Sequence, residues 1–167
     1  MNRRHFITAC LSMTALPIMS SRAIESNMDR NMKNQGPVEK IIKSESEWKK
    51  ILLPDQFEIL RKEGTEPPFS SHLNDEKREG LFVCAGCDLA LFDSDMKYDS
   101  GTGWPSFFTS IPDHFETKLD FKLIYPRTEY HCARCGGHHG HIFNDGPKPT
   151  GKRWCNNGLA LNFIPEK

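Results

Sequence analysis

A chain of 167 residues with 22 basic and 22 acidic side chains has the size of one domain. Its balanced charge argues against a polyanionic partner such as nucleic acid. Eleven prolines and twelve glycines point to many turns and a β-rich fold. Beyond residues 1–23, no apolar run is long enough to span a membrane.

Residues 1–23 read as an export signal. Arg3 and Arg4 precede a diluted apolar run from Phe6 to Met19, and Ser21-Arg22-Ala23 offers small residues for cleavage. The paired arginines with Phe6 resemble a twin-arginine signal, so a periplasmic location is expected, with no membrane anchor once the signal is removed. Cleavage would remove three arginines, no acid and Cys10, leaving a net charge of −3 and five cysteines. Residues 24–43 are polar and lack a hydrophobic period, as a linker does.

The domain is expected over residues 44–167. Ser44 and Glu47 form a capping box that opens a helix burying Trp48, Ile51 and Leu52. Pro54 starts a second helix, with Phe57 and Leu60 inward and Gly64 at its end. These helices are expected to cover a sheet face and carry no chemistry. Residues 65–69 must be largely extended because of Pro67 and Pro68.

Residues 80–83 and 89–92 read as a hairpin with Cys84-x-x-Cys87 at its tip. Residues 115–121 and 128–132 alternate polar and apolar residues as paired strands do, and the second leads into Cys132-x-x-Cys135. Four cysteines in two such pairs suit one tetrahedral zinc, although a single pair would also suit redox chemistry. A four-cysteine site is closed, so this zinc would be structural. Between the pairs, Gly101-Thr102-Gly103-Trp104-Pro105 fixes an irregular backbone suited to presenting Trp104 to a pocket, the alternative being a core anchor.

His138, His139 and His141 are left over from that metal and suit proton transfer; no carboxylate spacing supports a second metal site. Cys155 stands alone beside Lys152 and Arg153, whose charges would favour a nucleophilic thiolate. A buried structural cysteine is the alternative.

Five ordered motifs carry a resemblance. They are Cys84-x-x-Cys87, Gly101-Thr102-Gly103-Trp104-Pro105-Ser106-Phe107, Cys132-x-x-Cys135, Gly140-His141-x-Phe143-x-Asp145-Gly146-Pro147 and Arg153-Trp154-Cys155-x-Asn157. Together they resemble the methionine-R-sulfoxide reductase B family. The resemblance implies a mainly β fold of two antiparallel sheets with short N-terminal helices and one structural zinc on Cys84, Cys87, Cys132 and Cys135. It implies Cys155 as the nucleophile, Trp104 holding the substrate methyl group and Phe143 in the substrate pocket. His138 and His141 would bind the sulfoxide oxygen, and Asp145, Arg153 and Asn157 would orient these groups. The substrate would be methionine-R-sulfoxide in peptides or proteins. The reductant would be a thioredoxin-like protein or a small thiol, and the enzyme a monomer.

Three departures from the family stand out: Thr102 where many members carry a resolving cysteine, His139 in place of an apolar residue, and Asn156-Asn157-Gly158 near the nucleophile. A zinc-knuckle binding module and a thiol redox sensor are the competing readings.

Overall fold

The computed structural model describes residues 38–122 and 125–166; the expected signal and most of the expected linker lie outside the described residues. Among the described residues, two short α-helices precede nine strands. Helix α1 (Glu45–Ile51) opens on the expected capping box, with Ser44 N donating to Glu47 Oε2 at 2.7 Å. Trp48 and Leu52 are buried, but Ile51 is 56% exposed, because the helix is too short to bury a broad apolar face. Helix α2 (Pro54–Lys62) buries Phe57, Ile59 and Leu60. The left-handed turn after it falls on Glu63, with φ 56°, one residue before the glycine expected there.

The strands are β1 (Gly80–Cys84), β2 (Ala90–Asp93), β3 (Lys97–Tyr98), β4 (Ser106–Phe107), β5 (Phe115–Asp120), β6 (Arg127–Cys132), β7 (His138–Phe143), β8 (Arg153–Asn156) and β9 (Leu161–Pro165). They form two antiparallel sheets, one ordered β2-β1-β9 and the other β3-β4-β8-β7-β6-β5. Aromatic side chains join the sheets. Phe92 of the small sheet stacks on Phe107 of the large one, ring centres 3.9 Å apart, and Phe82 meets Phe107 edge-on. All three rings are fully buried. Truncating any of them to alanine would cost about 3–5 kcal/mol.

The two faces of the large sheet differ in chemistry. Because side chains alternate along a strand, Tyr130 and Cys132 of β6 and Trp154 and Asn156 of β8 point into the core. Arg127, Glu129 and His131 of β6, with Arg153 and Cys155 of β8, occupy the other face. Strand β7 departs from strict alternation. Tyr130 pairs with Gly140 and His131 with His138, so His139 is an extra, bulged residue. The bulge puts both His138 and His141 on the polar face and turns His139 inward, toward Phe115 and Tyr130. The histidine-rich stretch is therefore a central strand, paired on both sides.

Candidate active site

Cys155 lies at the centre of the large sheet, paired with His141 on one side and Ser106 on the other. Strands β7 and β8 approach so closely here that a Cβ on Gly140 would lie 1.9 Å from the Cys155 carbonyl oxygen. A cavity of about 130 Å³ opens over the cysteine, lined among others by Trp104, Arg127, His141, Phe143, Cys155 and Asn157. The Trp104 ring is held from outside the sheet. Its Nε1 donates to the Glu66 carbonyl at 3.0 Å. Gly103 beside it has φ 90° and no room for a Cβ, which would lie 2.8 Å from the Phe69 nitrogen. The irregular Gly-Thr-Gly-Trp-Pro stretch thus lets the indole face the cavity.

Glu66 is a residue the sequence did not single out. It is 4% exposed, and its carboxylate accepts from Gly158 N at 2.5 Å and Leu159 N at 3.0 Å. Its own backbone N–H donates to Asn157 Oδ1 at 3.0 Å. Burial raises the Glu66 pKa against the pull of those two N–H donors. One residue thereby ties the chain after Cys155 to the support of Trp104. Asn157 completes the tie, donating to the His139 carbonyl at 3.0 Å.

The charges around Cys155 differ from the sequence expectation. Lys152 turns away, its ammonium 2.6 Å from Asn144 Oδ1. Arg153 is locked in a two-pronged pair with Asp145, both bonds 2.8 Å, and its guanidinium lies 4.3 Å from the centre of the Phe143 ring. Burial pushes the Cys155 thiol above its ordinary pKa, against Arg153 and Thr102, which both pull it down. The resting group is therefore a thiol rather than a standing thiolate. Thr102 belongs to a hydroxyl chain: Ser100 Oγ lies 2.8 Å from Thr102 Oγ1 and 2.8 Å from Ser106 Oγ.

His141 Nε2 is 2.8 Å from Asp120 Oδ2, and Arg127 holds the same oxygen at 2.6 Å. Burial lowers the His141 pKa although Asp120 raises it, so the ring is neutral near pH 7. Arg127 and Asp120 are further residues that sequence reasoning missed. Only their place on the alternating strands marked them, since Asp120 and Arg127 are cross-strand partners. His138 does not line the cavity. Its ring centre lies 5.6 Å from that of His141, and its Nδ1 is 2.5 Å from Glu129 Oε1.

The other four described cysteines come together where the sheets meet. Cys84 and Cys135 sulfurs are 3.6 Å apart, those of Cys87 and Cys132 3.5 Å, and all four lie within 4.8 Å of one another. A disulfide would need about 2.05 Å. A tetrahedral zinc with bonds of about 2.3 Å sets sulfurs about 3.8 Å apart. The cluster fits zinc and excludes two disulfides. The helices cover it: Arg61 donates to the Cys135 carbonyl at 2.9 Å and lays its guanidinium over Trp48.

Comparison with known proteins agrees with this geometry. Residues 52–165 match the SelR domain. A Methanosarcina barkeri peptide methionine sulfoxide reductase MsrB is 52% identical over 126 residues, covering 75% of this chain and 89% of that protein. The MsrB of Leptospira interrogans is 49% identical over 125 residues, 74% of this chain and 95% of that protein. The chloroplastic reductase B1 of Arabidopsis thaliana is 50% identical over 121 residues, 72% of this chain and 60% of that protein.

Proposed function

The chain belongs to the MsrB family of peptide methionine sulfoxide reductases, and from that premise we propose that it reduces the R epimer of methionine sulfoxide in peptides or proteins, with Cys155 as nucleophile. The observation that carries this reading is the Cys155 thiol, the one described cysteine outside the four-cysteine cluster, facing a small cavity between an indole ring and the His141–Arg127 pair. Trp104 and Phe143 suit the methyl-sulfur end of the substrate. Arg127 and His141 suit its oxygen, which carries partial negative charge.

The chemistry balances without another cofactor. The Cys155 sulfur attacks the sulfoxide sulfur while the thiol proton passes to the sulfoxide oxygen through the His141 side of the cavity. The substrate S–O bond then breaks as the hydroxyl passes to the Cys155 sulfur, the new S–S bond breaks, thioether leaves, and Cys155 is left as a sulfenic acid. An external thiol then condenses with the sulfenic acid, releasing water and forming a mixed disulfide. A second thiol frees Cys155. Thr102 offers no sulfur for an internal disulfide, and the four clustered cysteines suit the structural zinc. A thioredoxin-like protein or a small thiol would therefore act directly on Cys155. Zinc on Cys84, Cys87, Cys132 and Cys135 would join the two sheets and take no part in the steps.

Incubation with separate R and S sulfoxides and excess dithiothreitol tests this. Consumption of R alone, lost in Cys155→Ser, is expected; equal consumption of both epimers, or an active Cys155→Ser, would refute it. We also propose export by the twin-arginine route and repair of exported proteins, on the Arg3-Arg4 pair. Replacing both arginines with lysine should retain the protein in the cytoplasm, and unchanged export would refute that route.

A further inference from the structure

The polar face of the large sheet carries a second cluster beside the Cys155 cavity, across strand β6 from His141. Glu129 Oε1 is approached by two imidazoles at once, His138 Nδ1 at 2.5 Å and His131 Nε2 at 3.0 Å. Three ligating atoms, one from each residue, lie within 4.8 Å of one another. Glu129 and His138 are each 2% exposed. The other ring nitrogen of His138, Nε2, is buried with no protein partner. The fourth side is open. A cavity of about 350 Å³, lined among others by Glu63, Glu116, Lys118, His131 and His138, leads from solvent to the imidazoles. Glu63 reaches over its rim, with Oε1 3.9 Å from His131 Nε2.

We propose that Glu129, His131 and His138 form a second metal site, taking a divalent transition cation of the zinc or nickel class. Two imidazoles and a carboxylate are the donors such ions select, whereas magnesium and calcium prefer all-oxygen shells. The three protein ligands hold one side of the ion. The cavity admits water, or the Glu63 carboxylate, to the other. The carboxylate arrives from strand β6, which the spacing along the histidine strand could not reveal.

Lys118 is the resident counter-charge. Its ammonium is 3.3 Å from Glu129 Oε2 and 2.6 Å from Glu63 Oε1, and its side chain is half exposed. An arriving cation releases it onto Glu63 alone. The site is therefore exchangeable, in contrast to the closed four-cysteine cluster, and answers to the free concentration of metal.

The test titrates full-length protein, loaded with one equivalent of zinc, with Ni²⁺ in a calorimeter. One equivalent of Ni²⁺ should bind with the zinc still in place by metal analysis. His131→Ala and Glu129→Gln should each abolish that binding while keeping the zinc. Lys118→Met, which removes the competing ammonium, should tighten it roughly tenfold, about 1.4 kcal/mol. This gain keeps the proposal testable even where a ligand variant folds poorly. Failure of Ni²⁺ to bind at millimolar concentration, binding that His131→Ala leaves intact, or binding that Lys118→Met does not tighten would overturn the assignment.

Discussion

His139→Leu should make the protein more stable, and more so in mild acid. The imidazole is completely buried between Phe115 and Tyr130, and neither ring nitrogen has a protein partner. Its polar neighbour Asn156 is already engaged, accepting from Tyr130 Oη at 2.9 Å and donating to the Asn157 carbonyl at 2.7 Å. An unpaired buried polar group costs roughly 1–3 kcal/mol. A leucine of similar volume loses less than about 1.5 kcal/mol through imperfect shape. The net gain at pH 7 should be about 1 kcal/mol. Burial also holds the folded imidazole down at about 3, against an ordinary value of 6.5. Above 6.5 both states are neutral. As pH falls below it, the unfolded chain takes up a proton that the folded chain refuses, so stability is lost with acid. At about 1.4 kcal/mol per pH unit, wild type should lose about 2 kcal/mol between pH 7 and pH 5 through this group, and the variant nothing. Urea unfolding of zinc-loaded protein, followed by tryptophan fluorescence at both pH values, measures the difference. A variant less stable than wild type at pH 7, or a stability gap that is the same at pH 5 and pH 7, would refute the reasoning.

Three further outcomes are expected. Thr102→Cys should form a disulfide with Cys155 after one equivalent of sulfoxide without reductant, seen as the loss of two hydrogens by mass spectrometry, while wild type holds a dimedone-reactive sulfenic acid. A wild-type disulfide between Cys155 and a clustered cysteine would contradict the one-cysteine cycle. Cys84→Ser should release zinc and sharply lower the unfolding midpoint, since such sites contribute on the order of 10 kcal/mol; active, fully folded protein without zinc would count against a structural metal. Glu66→Ala frees two backbone N–H groups and should cost about 2–4 kcal/mol. It should also raise KM by loosening Trp104, and an unchanged KM would show that the indole does not depend on Glu66.

What could be read in the sequence was local. The capping box at Ser44, Pro54 at a helix start, the β1–β2 hairpin and the β5–β6 pair all follow from short-range pattern, and the structure has each of them. The two cysteine pairs pointed to one cluster because thiolate spacing is itself a chemical signal. Strand β7 escaped because glycines and histidines lack strand propensity; neighbours on both sides hold it extended. Glu66, Asp120 and Arg127 escaped for another reason. Each owes its place to partners distant in sequence or across a hairpin, and no residue beside them announces it. Of the charges flanking Cys155, Arg153 acts on the thiol as its place beside it suggested, whereas Lys152 takes Asn144 instead, and adjacency in sequence does not announce that choice.

The single bulge at His139 has a consequence for how this chain can change. On one side of it, residues are counted from the cysteine cluster; on the other, they are counted from the cavity. The two counts run out of phase by one residue, and only that offset lets His138 and His141 share a face. Strand β7 therefore behaves like a coding frame. Adding one residue to the strand while the bulge stays would exchange inward and outward positions over one half of it, whereas losing His139 itself would restore plain alternation and keep His138 and His141 on one face. Gly140 has no room for a side chain against the Cys155 carbonyl, and an insertion beyond the bulge shifts one frame against the other, so this stretch is constrained both in length and at that glycine.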